Sequence, residues 1–246
     1  MKHVLILIML LITPVVAQQS DPFPAIDNGV FYEYIYTPSA VNNTGTVSIC
    51  ALRYWHFRIE IFNVTKTESE IIFSYNCSHK EFLDGNLAHT GWAVFNVRVP
   101  LDRDDINGWW VNVLKGREAV EKVARGFARA IYADKIIINE TTYTFNGKER
   151  KGYYAYFENT TTHSYGLLIF DKEYGFLYQR AIVINETSVG TYRIAQLDLF
   201  GNLILKKTNL FLRKMLPIIV PTIVIAVVIA TVVIIRKRKT GKVAQF

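Results

Sequence analysis

An uncharged apolar run near the C-terminus constrains this chain more than any other feature. Residues 215–235 read MLPIIVPTIVIAVVIATVVII, a stretch of 21 residues without a charged side chain. At 1.5 Å per residue, a helix of this length reaches about 31 Å, which matches the roughly 30 Å hydrocarbon core of a bilayer. Pro217 fits a first helical turn, whereas Pro221 is expected to kink the helix or to mark its start. The run therefore predicts one transmembrane helix.

Basic residues directly after this run indicate its orientation. The cluster Arg236-Lys237-Arg238-Lys239 begins the tail 236–246, and the cytoplasmic flanks of membrane helices are enriched in Lys and Arg. We therefore expect a cytoplasmic C-terminus and a tail that attracts the anionic headgroups of the lipid bilayer. Basic residues on the other flank reduce this charge asymmetry; they are Lys206, Lys207, Arg213 and Lys214.

The N-terminus has the pattern of a secretory signal peptide. A basic start at Lys2 precedes an apolar run over residues 4–16, and polar residues follow Ala17. A helix of about 13 residues spans roughly 20 Å, which is too short for a bilayer core. We expect residues 1–17 to be removed; an uncleaved anchor is the alternative. Residues 18–214 then lie outside the cell or envelope membrane as a single-pass ectodomain.

The distribution of charge argues against a nucleic-acid partner. Six of the 28 Lys and Arg residues lie at the two ends of the chain, which leaves 22 basic residues against 21 acidic ones. The middle of the chain is therefore nearly neutral and lacks the basic surface that phosphate binding requires. Hydrophobic residues make up 50% of the chain and aromatic residues 13%, which predicts a packed core.

Potential N-glycosylation sites are frequent between the two apolar runs. Chance predicts about two Asn-x-Ser/Thr triplets for this composition, whereas six are present. Because turns also favour Asn, Ser and Thr, one or two of the six have a simpler explanation. The six predicted acceptors are Asn42, Asn63, Asn76, Asn139, Asn159 and Asn185.

The only two cysteines, Cys50 and Cys77, both lie in the exported segment. A single pair in an oxidising compartment predicts a disulfide. Closing this loop of about 28 residues is expected to stabilise the fold by roughly 3–4 kcal/mol. Residues 71–77 alternate between apolar and polar side chains, which directs Asn76 outward. The inward side chains of this run are Ile71, Phe73, Tyr75 and Cys77.

Most of the exported segment reads as strands separated by turns. From Ile136 onward, the runs predict an antiparallel meander of four to six strands, and Asn146-Gly147 is the strongest hairpin signal. The five-residue loop 171–175, which ends in Gly175, separates two further runs. The predicted strands lie within 30–36, 54–62, 70–75, 92–99, 135–138, 142–145, 153–157, 165–170, 176–184 and 191–199, and residues 63–66 read as a connection.

One stretch, residues 117–132, has helical periodicity instead. Apolar pairs recur every four residues, and Glu118–Lys122 and Glu121–Arg125 are i,i+4 ion pairs in the favourable order. One amphipathic helix beside an antiparallel sheet predicts an α+β fold in which the helix covers one sheet face. An open sheet wrapped on a helix resembles the half-barrel architecture of bacterial lipoprotein carriers. This resemblance is architectural and transfers no residue.

Recognised catalytic and metal-binding signatures are absent from this sequence. Nucleophile-elbow, zinc-protease, P-loop and dinucleotide-binding motifs are absent. Residues 102–113 miss calcium-loop spacing, because Ile106 and Val113 occupy ligand positions. The four exported histidines, which lack ligand or triad spacing, are His56, His79, His89 and His163. We therefore predict no catalytic residue, no metal and no cofactor.

Three hypotheses of function remain. The first is a membrane-anchored cell-surface or envelope glycoprotein whose ectodomain has a binding, adhesion or structural role. The second is an anchored carrier or sensor of a lipid or small apolar ligand, which requires an apolar pocket of several hundred Å³ between sheet and helix. The third is an anchored extracytoplasmic hydrolase. In composition, frequent sequons with Ile- and Tyr-rich strands resemble surface proteins of archaea and their viruses.

Overall fold

A computed structural model describes residues 21–41, 47–49, 53–183 and 201–243. The predicted signal peptide 1–17 lies outside the described residues, as do Asn42, Cys50 and Asn185. Contacts divide the chain into two compact units, Met1–Lys207 and Thr208–Phe246.

The first unit is built on a large antiparallel sheet. Its nine-strand path runs β5-β4-β3-β1-β12-β11-β10-β9-β8, with β2 paired to β1, and β6 pairs with β7 separately. The strands are β1 (Phe31–Val41), β2 (Val47–Ile49), β3 (Arg53–Lys66), β4 (Glu70–Leu83), β5 (Asn86–Pro100), β6 (Asp105–Ile106), β7 (Trp110–Val111), β8 (Lys135–Phe145), β9 (Lys148–Asn159), β10 (Ser164–Asp171), β11 (Leu177–Val183) and β12 (Gly201–Thr208). The predicted dominance of antiparallel structure is confirmed.

Local signals predicted several of these elements correctly. Asn146 and Gly147 both have positive φ, 51° and 72°, as a tight two-residue turn between β8 and β9 requires. The alternation in β4 is also confirmed, because Ile71, Phe73 and Tyr75 are buried.

Several strand predictions were wrong in extent, and one strand was not predicted. Residues 63–66 continue β3 through a register shift, and Asn63 has a φ of 55°, which is typical of a bulge. Residues 135–145 form one strand rather than two. The strand β12, which begins at Gly201, is not among the predicted strands. The predicted strand 191–199 lies outside the described residues.

The predicted amphipathic helix is α1 (Arg117–Ala130), and it packs against β8, β9 and β10. Both predicted i,i+4 ion pairs form. Tyr132 is exposed, contrary to the periodic pattern, because the helix has ended and this residue has a φ of 52°. The side chains that α1 buries are Ala119, Val120, Val123, Ala124 and Ala128.

The segment 101–116 completes the core between the sheet and α1. Trp110 is 1% exposed, and its ring lies 5.8 Å from those of Phe73 and Tyr75. An aromatic ring buried in this way contributes roughly 150–250 Å² of contact area. Asp104 ties the segment to α1 by accepting hydrogen bonds from Lys115 and Lys122, each at 2.8 Å.

The second unit contains one helix, α2 (Leu210–Val243), with Pro217 and Pro221 inside it. Within the described residues, no single helix meets the length and composition criterion for a membrane span. One bent pair, Leu210–Pro217 and Ile219–Val233, meets the criterion as a pair and bends by 44°. The predicted transmembrane helix 215–235 therefore stays a prediction.

Candidate functional site

The edge strand β5 is the most exposed element of the sheet. Of its 15 residues, Val99 is buried, two are half-buried, and the remaining residues are exposed. The exposed residues include large apolar ones on both faces, and Trp92 is 75% exposed. Native sheets normally cover such an edge or protect it with charges, because unpaired strand edges recruit other chains.

A tight hairpin generates this edge. Leu83 pairs with Asn86, and the two residues between them, Asp84 and Gly85, have φ values of 50° and 79°. Two consecutive positive φ values define the hairpin turn that Asp-Gly favours. The predicted strand covered only residues 92–99, and the turn was not predicted although the sequence contains the Asp-Gly signal. The strand is longer by six residues at its N-terminal end.

The β5 edge is nearly without charge. Arg98 is its one charged residue apart from the histidine, and it donates to both carboxylate oxygens of Glu70 at 2.7 and 2.8 Å. These hydrogen bonds from Arg98 hold the pKa of Glu70 below its usual value. The twelve residues 86–97 therefore contain no Asp, Glu, Lys or Arg.

The opposite edge of the sheet, β8, has charged side chains and a predicted glycan acceptor. It contains Lys135 and Glu140, and the predicted glycan acceptor Asn139 is exposed on it. Charges and a glycan both oppose the addition of another strand. The two edges of one sheet are thus differently protected.

A groove lies on the outer face of the sheet, opposite the core, beside β5. Two cross-strand rows form it: Glu33, Arg58, Ser78 and Trp92 face one another in register, as do Ile35, His56, Lys80 and Thr90. Lys206 and Lys207 of β12 complete the lining. We call this feature the outer groove; its volume is about 650 Å³.

The outer groove is basic. Arg58 is occupied, since its guanidinium lies 2.5 Å from the Glu33 carboxylate and 4.1 Å from the centre of the Phe31 ring. Lys80 and Lys206 form no ion pair with any described residue. The exposed Trp92 ring beside these cations offers a flat apolar surface next to positive charge.

The inner face near the β4–β5 hairpin holds Cys77, His79 and His89. The two imidazole rings are 5.6 Å apart, and burial raises the pKa of the Cys77 thiol. In the described parts of the chain, no group of three His, Cys, Asp or Glu residues is placed to hold a metal ion. Cys77 is not in a disulfide with any described residue, and its predicted partner, Cys50, lies outside them.

The described glycan acceptors occupy different environments. Asn63 and Asn139 are exposed, whereas Asn76 is half-buried on the outer face, with its Oδ1 buried and unpaired. The Asn159 amide is fully engaged: Nδ2 donates to the carbonyls of Ile131 and Tyr132 at 3.2 and 3.0 Å. Its Oδ1 accepts from two following backbone N–H groups. This geometry favours the turn explanation for Asn159.

The most buried charged cluster centres on Asp171, whose side chain is inaccessible to solvent. It accepts from the Tyr143 hydroxyl at 2.5 Å, from Arg150 Nε at 2.7 Å, and from the backbone N–H of Glu173 and Tyr174. Burial and the Asp171 charge raise the pKa of Tyr143. The cluster fixes the predicted loop after β10, and its hydrogen bonds indicate a structural role.

No protein-family model matches this sequence, and a comparison with curated proteins gave no match.

Proposed function

We propose that this chain is a single-pass, membrane-anchored cell-surface or envelope glycoprotein whose ectodomain binds a protein partner along the β5 edge. The signal peptide pattern, the apolar run 215–235 and the sequons of the exported segment support the location. The uncharged, exposed β5 edge supports the binding role.

The observation that carries the binding role is the contrast between the two sheet edges. A strand of 15 residues is long compared with the usual five or six. Leaving its backbone N–H and C=O groups and its apolar side chains open invites aggregation unless a partner covers it. The β8 edge has the charged side chains that usually protect a sheet edge, whereas the β5 edge has few.

Site-specific photo-crosslinking in native membranes tests this role. Val94 on β5 and Ile137 on β8 are 48% and 37% exposed, so each can be replaced by a photoreactive phenylalanine derivative with similar access. We expect a protein adduct from position 94 and none from position 137. Equal adducts from both positions, or none from position 94, would contradict the proposed binding edge.

A second candidate function is the binding of a small ligand in the outer groove. The carrier hypothesis expected an apolar pocket between sheet and helix, but buried side chains such as Trp110, Phe157 and Phe170 pack there. The outer groove is instead basic and contains an exposed indole, which favours a ligand that combines a ring with a carboxylate or phosphate. Native mass spectrometry of the purified protein tests this. A bound small anion that is lost on Lys80→Ala would support it, and an unliganded protein would count against it.

A further inference from the structure

We propose that the partner of β5 is a second copy of this chain, paired antiparallel with β5 about a two-fold axis at Ala93. This inference rests on the proposed function, since it names the occupant of the same edge. Four features support it: the position of the regular part of β5, the side chains that self-pairing would oppose, the charge of the strand, and the contrast with β8.

The regular part of the strand without charged side chains fixes the register. Glu81 pairs with His89 and Phe82 with Leu87, so β5 has a bulge at Ala88. Between this bulge and Arg98, residues 89–97 contain no Asp, Glu, Lys or Arg, and Ala93 is their central residue. In this register every residue faces one that differs from it by an even number of positions. Backbone N–H and C=O groups point alternately to the two sides of a strand. The unpaired groups of one copy therefore lie opposite the unpaired groups of the other. The inner face of one sheet also continues as the inner face of the other.

The side chains that this register opposes are compatible. Gly91, over which the His79 imidazole lies, faces Phe95, and Trp92 faces Val94, an aromatic and β-branched pair of the kind that stabilises sheets. Thr90 faces Asn96, which pairs two polar side chains on the outer face. These pairings follow from the strand sequence alone.

Charge is also compatible with a second copy. The single Lys, Arg, Asp or Glu residue of the strand, Arg98, lies five residues from the axis and therefore far from Arg98 of the second copy. Its charge is already neutralised by Glu70 within each copy. No like-charge pair forms across the axis, so self-pairing has no electrostatic penalty.

Self-pairing of β8 about its own midpoint would be unfavourable. β8 runs from Lys135 to Phe145, so its midpoint is Glu140, and full-length self-pairing would place Glu140 against Glu140. The predicted glycan acceptor Asn139 would face Thr141, next to the axis. Glu140 forms an ion pair with Lys172 of its own copy, but both side chains are exposed and such a pair contributes little, so like charges directly opposite one another still destabilise this strand pair. The chain therefore opposes self-pairing at one edge and permits it at the other.

Cysteine cross-linking between two differently tagged full-length chains in native membranes tests the register. One chain has Thr90→Cys and the other Asn96→Cys, positions that face each other about the Ala93 axis. Directly opposite residues have Cα atoms about 4.5–5.5 Å apart, within the range that a disulfide spans. We expect a mixed disulfide between the two tags on mild oxidation, and no mixed disulfide between wild-type chains.

The matched control combines Thr90→Cys with Val94→Cys, which lies two residues out of register and about 8 Å away, beyond disulfide reach. A cross-link in the control pair alone would overturn the Ala93 axis. No cross-link in either pair, with a photo-adduct from position 94 to a different protein, would overturn the second copy but not the binding edge. No cross-link and no photo-adduct would overturn both.

Discussion

Replacing Asp171 with alanine is expected to destabilise the ectodomain by about 3–5 kcal/mol. The Asp171 side chain is inaccessible to solvent, and Arg150, its ionic partner, is only 16% exposed. Removing the carboxylate leaves the Arg150 guanidinium and the Tyr143 hydroxyl without their buried acceptor. Two backbone N–H groups of the loop after β10 lose their acceptor as well. The loss of the buried carboxylate from the largely buried guanidinium is the largest of these costs, because the Glu173 carboxylate that stays bound to Arg150 is exposed.

Glu173→Ala is the matched control. Glu173 binds the same guanidinium at 3.1 Å, but its side chain is 67% exposed, so its loss is expected to cost less than about 1 kcal/mol. The difference between the two variants shows how much more the buried carboxylate contributes to the free energy of unfolding than the exposed one.

Urea unfolding of the full-length chain in detergent micelles, followed by tryptophan fluorescence, measures both variants. With a slope of roughly 2 kcal/mol per molar urea, Asp171→Ala is expected to lower the midpoint by about 1.5–2.5 M and Glu173→Ala by less than about 0.5 M. Equal shifts in the two variants would refute the reasoning, because burial would then have no effect on the cost of losing the acceptor.

Three further predictions concern the exported segment. Protease treatment of intact cells is expected to digest residues 18–214, and digestion of the tail alone would reverse the topology. Non-reducing peptide mapping is expected to show Cys50 linked to Cys77, and two free thiols would exclude the bridge. Glycopeptide analysis is expected to show sugar on the exposed Asn63 and Asn139 but not on Asn159, whose amide hydrogens are both donated; full occupancy of Asn159 would show that the turn rearranges.

The sequence predicted those parts of the fold that depend on local signals. The helix at 117–130, its two ion pairs and the Asn146-Gly147 hairpin all follow from spacings within a few residues. Alternation in β4 is local too, because side chains of one strand divide between the two faces by position alone.

The candidate site could not be predicted in the same way. β5 was recognised as a strand, but its place at the edge depends on the strand order, in which β12 inserts between β1 and β11. That order is set by pairings between distant segments and has no local signal. The outer groove has the same origin, since five strands, from β12 to β5, contribute its lining. Lys206 lines the outer groove only because β12 is a strand of this sheet.

The mass of the detergent-solubilised full-length chain tests the central claim, that β5 pairs with β5 of a second copy, most directly. Ala93→Glu would place two carboxylates about 5 Å apart on the proposed axis, a repulsion of about 1–3 kcal/mol, or roughly 5- to 150-fold weaker association. Ile137→Glu makes the same change on the opposite edge. We expect dimers for the wild type and for Ile137→Glu, and monomers for Ala93→Glu. A mass for Ala93→Glu equal to that of the wild type would contradict this claim.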